Sequence, residues 1–121
     1  MADLDLTPLC DNWDSVTQGD TYPAQRYQVA GTENALTRVR CKVKNRLGTT
    51  LLNLDSNTTG ITITTATAGA WEFTIAAFTA AVMEEIEDGT HSYDIETTDS
   101  SGTVFTDFSG TWTVLKQTTD A

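Results

Sequence analysis

Basic residues are scarce in this 121-residue chain. Seven Lys and Arg stand against seventeen Asp and Glu, for a formal charge of −10. That balance argues against bulk binding to nucleic acid, which rests on neutralising phosphates with an excess of Lys and Arg. It argues against an anionic membrane surface for the same reason. Long apolar runs are missing too: no stretch reaches the roughly 18 residues of a spanning helix. The opening Met1-Ala2-Asp3-Leu4-Asp5 lacks the basic and apolar regions of a signal peptide, so we read the chain as made and used without secretion. Histidine occurs once, as His91, and cysteine twice, as Cys10 and Cys41. The two cysteines alone do not close a tetrahedral metal site, and no Gly-rich phosphate loop is present. The inventory points away from an enzyme and implies no cofactor. With no secretory leader, the two cysteines read as free thiols. The length fits one domain with a single modest core.

What basic charge there is lies together. Arg38, Arg40, Lys42, Lys44 and Arg46 follow one another with no acid between them. This segment carries +5, so the rest of the chain carries −15. The cations fall on every second position, with Val39, Cys41 and Val43 between them. Strand side chains alternate faces with period two. The segment therefore reads as a strand with an apolar inner face and a basic outer one. The outer face is either solvated and balanced by acids on a neighbouring strand or a docking stripe for an acidic partner.

The eight glycines punctuate β-like runs at a spacing typical of a β-sandwich. The expected strands cover residues 22–29, 36–45, 50–54, 61–65, 71–76, 93–97 and 103–116. Pro23 marks the first as an edge. In the last, Val104, Phe108, Trp112 and Val114 share one parity, and Gly110 reads as a bulge or bend. Threonine makes up about a fifth of the chain, which fits exposed strand faces. Only 78–86 breaks the pattern. Phe78, Val82 and Ile86 sit four apart, Thr79 is placed as N-cap, and Phe78 and Met83 occupy the positions of a hydrophobic staple. A helix of about two turns is expected, ended at Asp88-Gly89 with Glu84, Glu85 and Glu87 at its unfavourable end. Residues 1–18 read as an acidic arm lying on the domain or on a neighbour, 19–118 as the sandwich, and 119–121 as a tail.

Few residues suggest chemistry. His91, Ser92 and Asp94 lie close in sequence, but neighbours on a strand point to opposite faces and form no triad. The run from Asp55 to Gly60 resembles a calcium loop only faintly and lacks its closing Glu, so an Asx-type turn is the simpler reading. Trp71 and Trp112 fall on core parity, which leaves Trp13, in the arm, as the free tryptophan. Phe105 and Leu115 lie on the polar parity of the last strand, and Leu36 on the parity of the basic face. Together these would fit a contact surface.

The order of these pieces also carries a resemblance. Gln18-Gly19-Asp20-Thr21 precedes the first strand, followed by the basic strand and Gly60-Ile61-Thr62-Ile63. Trp71-Glu72-Phe73-Thr74-Ile75, Tyr93-Asp94-Ile95-Glu96 and Gly110-Thr111-Trp112-Thr113-Val114 come after. The sequence resembles small virion proteins of tailed bacteriophages and prophages, and the N-terminal domain of upper baseplate proteins that anchor receptor-binding proteins. The resemblance spans roughly residues 19–118. It implies an all-β fold, an immunoglobulin-like antiparallel β-sandwich with one short helix between strands. It also implies a non-catalytic tail, baseplate or fibre-attachment adaptor, assembled in the host bacterial cytoplasm as a homo-oligomer among other phage structural proteins. A head decoration or neck protein is the alternative within that class, and a carbohydrate-binding module for host glycan the alternative outside it. The expected docking residues are Arg38, Arg40, Lys42 and Lys44 on the stripe, with Trp13 and Phe105.

Overall fold

The computed structural model describes residues 12–116 and, as backbone, the strand Leu9–Cys10. Nine strands and one helix follow in order: β1 (Leu9–Cys10), β2 (Trp13–Thr17), β3 (Gln25–Ala30), β4 (Leu36–Lys44), β5 (Thr50–Asp55), β6 (Ile61–Thr67), β7 (Ala70–Ile75), α1 (Ala80–Glu84), β8 (Gly89–Asp99) and β9 (Val104–Leu115). The larger sheet has the order β1-β9-β8-β4-β5, with β2 also on β9, and the smaller has β3-β7-β6. This division, with β5 added beside β4, is that of an immunoglobulin-like sandwich.

Alternation builds the larger sheet. Along β8 buried and outward residues alternate from His91 to Asp99, and β4 does the same from Val39 to Lys44. The inward residues Val39, Cys41, Val43, Tyr93, Ile95, Trp112 and Val114 are almost fully buried. The smaller sheet answers with Tyr27, Trp71, Phe73, Ile75 and Ile61. Tyr27 stacks on Phe73 with ring centroids 5.5 Å apart, and Phe108 of the other sheet lies 4.7 Å from Tyr27. Offset and tilted aromatic pairs of this kind add to the area they bury.

The N-terminal segment differs from the expected arm. Residues Trp13–Thr17 are a sheet strand, paired in parallel with β9 through Trp13↔Trp112 and Val16↔Val114. Leu9–Cys10 pairs with β9 in parallel as well, so the sandwich is antiparallel except along this edge. The strand is invisible to periodicity because only Trp13 in it is buried. Its other bonds are to backbone, which any sequence supplies. The domain is further closed by Tyr22, whose hydroxyl donates to the Asp14 carbonyl at 3.0 Å, and by Gln18, which donates to the Ile86 carbonyl at 3.0 Å. The expected tail 119–121 lies outside the described residues.

The helix is shorter than its sequence spacing predicts. Thr79 caps it, its side chain accepting from the Val82 N–H at 3.3 Å, and Phe78, Met83 and Ile86 are buried beneath it. It ends at Glu84, where three glutamates begin to crowd a negative dipole end.

The last strand carries its irregularity elsewhere than Gly110, which pairs regularly with Tyr93. Ile95 pairs with Phe108 and Glu96 with Thr106, so Asp107 is the extra residue of a bulge. Parity reverses there. Phe105 turns inward and packs on Trp71 with centroids 6.5 Å apart, while Val104 turns out and is half exposed. A register shift between Leu36 and Arg38 likewise buries Leu36 instead of leaving it on the basic face.

Candidate interaction face

The outer surface of the larger sheet is set by register. Lys42 of β4 lies between Asn53 of β5 and Asp94 of β8, and Asp94 is opposite Ser109 of β9. One row along, Arg40 lies between Asp55 and Glu96, and Glu96 is opposite Thr106. On the other side Lys44 faces Ser92, which is opposite Thr111. A basic column, an acidic column and a hydroxyl column thus run side by side. Asp94, Ser92, Thr111 and Lys44 are exposed, and Lys42, Arg40 and Glu96 half-buried among their neighbours.

The four cations of the stripe are not equivalent. Arg38 grips the Asp55 carboxylate with Nε, 3.1 Å from Oδ1, and with Nη2 on Oδ2. Asp55 is nearly buried. The guanidinium hydrogen bonds hold its carboxyl down to about 2, helped by the Asn57 N–H and opposed by burial. Arg40 reaches Glu96 at 3.4 Å. Lys42, Lys44 and the exposed Arg46 have no ion pair among the described residues. Acids on neighbouring strands therefore engage the first two cations, and the open positive charge sits toward the β4–β5 hairpin.

Two expected docking residues lie inside the domain. Trp13 is 5% exposed, stacks on Tyr93 at 4.2 Å, and donates its indole N–H to the Tyr27 hydroxyl at 2.6 Å. Phe105 is directed at Trp71 by the bulge. With Trp71 and Trp112 also buried, no tryptophan is available to stack on a sugar. The exposed large apolar side chains are Leu47, Val82, Val104 and Leu115 among the described residues. Leu115 is thus outward, as its parity predicts.

The remaining chemical candidates serve the fold. His91 is buried on the inner face and donates from Nε2 to the Glu87 carbonyl at 2.7 Å, while Ser92 and Asp94 point outward. The Asp55–Gly60 loop is an Asx turn, with the Asn57 N–H on Asp55 Oδ1 at 3.0 Å. Asp99 forms a second such turn, accepting from the Ser101 and Thr103 N–H groups, the Ser101 hydroxyl and Asn34. These bonds hold its carboxyl below the usual range, the Ser101 hydroxyl foremost. Among the described residues no three His, Cys, Asp or Glu are placed to hold a metal. Cys41 is a free thiol, pushed up to about 12 by burial and by Asp94, which leaves it inert. The side chain of Cys10 lies outside the described residues. An open depression of about 290 Å³ lies beside Arg26 and Gln28 on the smaller sheet.

No protein-family model and no curated protein matches the chain. Solved structures similar to it include fibronectin(III)-like modules of Clostridium thermocellum CbhA, at 13% identity and a TM-score of 0.44, covering 93% of this chain and 96% of that one. A chain from a structure of T cell activation by the bacterial superantigen toxic shock syndrome toxin-1 matches at 9% identity and a TM-score of 0.44, over 84% of this chain and 92% of that one. A family 123 glycoside hydrolase from Clostridium perfringens matches at 14% identity and a TM-score of 0.47, over 88% of this chain but 23% of the hydrolase. At these identities and scores the likeness carries nothing about activity. The immunoglobulin-like fold rests on the strand order itself.

Proposed function

We propose that this chain is a non-catalytic adaptor domain of a bacteriophage virion, at the tail, baseplate or fibre attachment, working by protein–protein contact. The virion setting rests on the sequence resemblance over residues 19–118. The observation that supports an adaptor role is the outer face of the larger sheet. It is a broad polar surface on which Lys42 and Lys44 hold no ion pair among the described residues, with Arg46 beyond them toward the β4–β5 hairpin, on a chain that is otherwise strongly acidic. The titratable groups that catalysis would recruit are committed to turns and core: Asp55 and Asp99 to Asx turns, His91 to a backbone carbonyl.

The test is incorporation. Mass spectrometry of purified virions should find the chain at a stoichiometry fitting a symmetric ring. Its absence from virions sinks the reading. Lys42→Gln with Lys44→Gln should abolish incorporation while leaving the melting transition in place, because neither side chain holds an ion pair within the described residues and no like charge is set beside Asp94. Normal incorporation of that variant would make the stripe a solvated face.

A further inference from the structure

We propose that the outer face of the larger sheet also pairs two copies of this chain, face to face, about a two-fold axis running along the strands between β4 and β8. The inference rests on the adaptor reading only in using the same face, and it names a second copy as the occupant.

Adjacent strands lie about 4.8 Å apart and packed sheets about 10 Å apart. A two-fold axis parallel to the strands and between β4 and β8 carries β4 of one copy over β8 of the other while keeping the rows level. Lys42 then faces Asp94 of the second copy, and Arg40 faces its Glu96. Within one chain each cation is already the lateral neighbour of the same acid. Pairing therefore turns each row into a square of alternating charge, in which every nearest neighbour is of opposite sign. The other in-plane axis, across the strands, lays the basic column on itself and is repulsive. Only one face-to-face arrangement is complementary, and it is isologous, as a closed dimer requires.

The face is also close to neutral as a whole. The four cations Arg38, Arg40, Lys42 and Lys44 and the three acids Asp55, Asp94 and Glu96 leave this surface at +1, so the rest of the chain carries −11. Through this face copies meet on a nearly balanced surface. The outer face of the smaller sheet is balanced as well, by the Arg26–Glu72 pair, but carries no columns of opposite charge to set against a second copy. The outer columns of β9 are hydroxyls at Ser109, Thr111 and Thr113, which allow close approach. Four strands and the three rows, each about 6.7 Å along the strand, give a footprint on the order of 400 Å² per copy, at the weak, salt-sensitive end of interfaces. An array of copies repeats such a contact to effect.

The test uses the full chain in sedimentation equilibrium at low ionic strength, at concentrations up to ~1 mM. The wild type should dimerise, and Lys42→Glu and Asp94→Lys alone should each weaken the dimer about 10-fold or more by placing like charges opposite each other twice. Mixed in equal amounts, the two variants should form a heterodimer within about threefold of wild-type affinity. In that heterodimer the introduced glutamate faces the introduced lysine, and the native Asp94 of one copy faces the native Lys42 of the other. A contact that does not set Lys42 of one copy against Asp94 of the other predicts no such rescue, since the intrachain neighbours stay mismatched in both copies. Circular dichroism melts check that each variant is folded, and if either is not, Lys42→Gln and Asp94→Asn replace them with salt dependence as the readout. A monomeric wild type, or single variants that mixing does not rescue, overturns the pairing. A monomer that still enters virions leaves the adaptor reading standing, and a dimer absent from virions does the reverse.

Discussion

Gly60 closes the Asp55 turn at φ +90, and a Cβ there would lie 2.6 Å from Leu54 Cδ2. Gly48, in the β4–β5 hairpin, has a similar φ of +83 with open space around it. The pair separates two costs. Gly48→Ala should lose about 1–2 kcal/mol, the left-handed penalty alone. Gly60→Ala should lose a further 1–3 kcal/mol or so, because Leu54 must leave its place in the core. Urea unfolding of both variants measures the difference, and equal losses would show that Leu54 relaxes freely. Asp107 offers a residue-scale test of opposite sign. The bulge turns it toward Thr97, whose hydroxyl donates to it at 2.6 Å, and burial raises its carboxyl. The ionised form is therefore the disfavoured one. Asp107→Asn keeps an acceptor for Thr97 and should be more stable than wild type at neutral pH. That advantage should shrink as pH falls and the native carboxyl takes up its proton.

Among the elements, β2 and β9 show why part of this fold is hidden in the sequence. Strands buried on one face are legible: β4, β7 and β8 alternate, and their inward residues are those the parity names. Parity fails wherever a residue is inserted. One extra residue at Asp107 exchanges the roles of Val104 and Phe105, and the shift before Arg38 buries Leu36. A bulge leaves no compositional mark, so only the register reveals it. The edge strand β2 has the complementary problem, since its pairing is made by backbone and its burial by Trp13 alone. The basic face is legible as a stripe, but Asp94 and Glu96 as its lateral partners need the β4–β8 register. Trp13 carries the prediction for this element. Trp13→Ala removes a stacked ring and the bond to Tyr27, and should cost about 3–5 kcal/mol. Loss of hydrogen-exchange protection along β2 should accompany it. A loss below about 1 kcal/mol would mean that the strand is held by backbone pairing alone.

For the whole molecule, charge acts on stability in two opposed ways. At pH 7 the chain carries −10 on a small domain, and self-repulsion of that size disfavours the compact state. Added salt should therefore raise the melting temperature at neutral pH, and moderate acidification should do the same as carboxylates begin to protonate. Asp55 and Asp99 work against this below their ordinary range. Both are held down in the folded state, Asp55 to about 2 through Arg38 and Asp99 mainly through the Ser101 hydroxyl. A group depressed by folding stabilises above its unfolded pKa, near 4 for Asp, and that stabilisation is lost as pH falls through the folded value. Asp107 contributes in the other direction, gaining stability on protonation. Together these terms place the stability maximum in mildly acidic solution, at roughly pH 4–5, with a steep loss between about 4 and 2. Asp55→Asn tests the assignment, because it leaves the turn an acceptor but removes the charge that Arg38 holds. It should be less stable than wild type at pH 7, with most of the deficit gone by pH 2. A deficit that persists unchanged to pH 2 would locate the role of Asp55 in turn geometry and not in its charge.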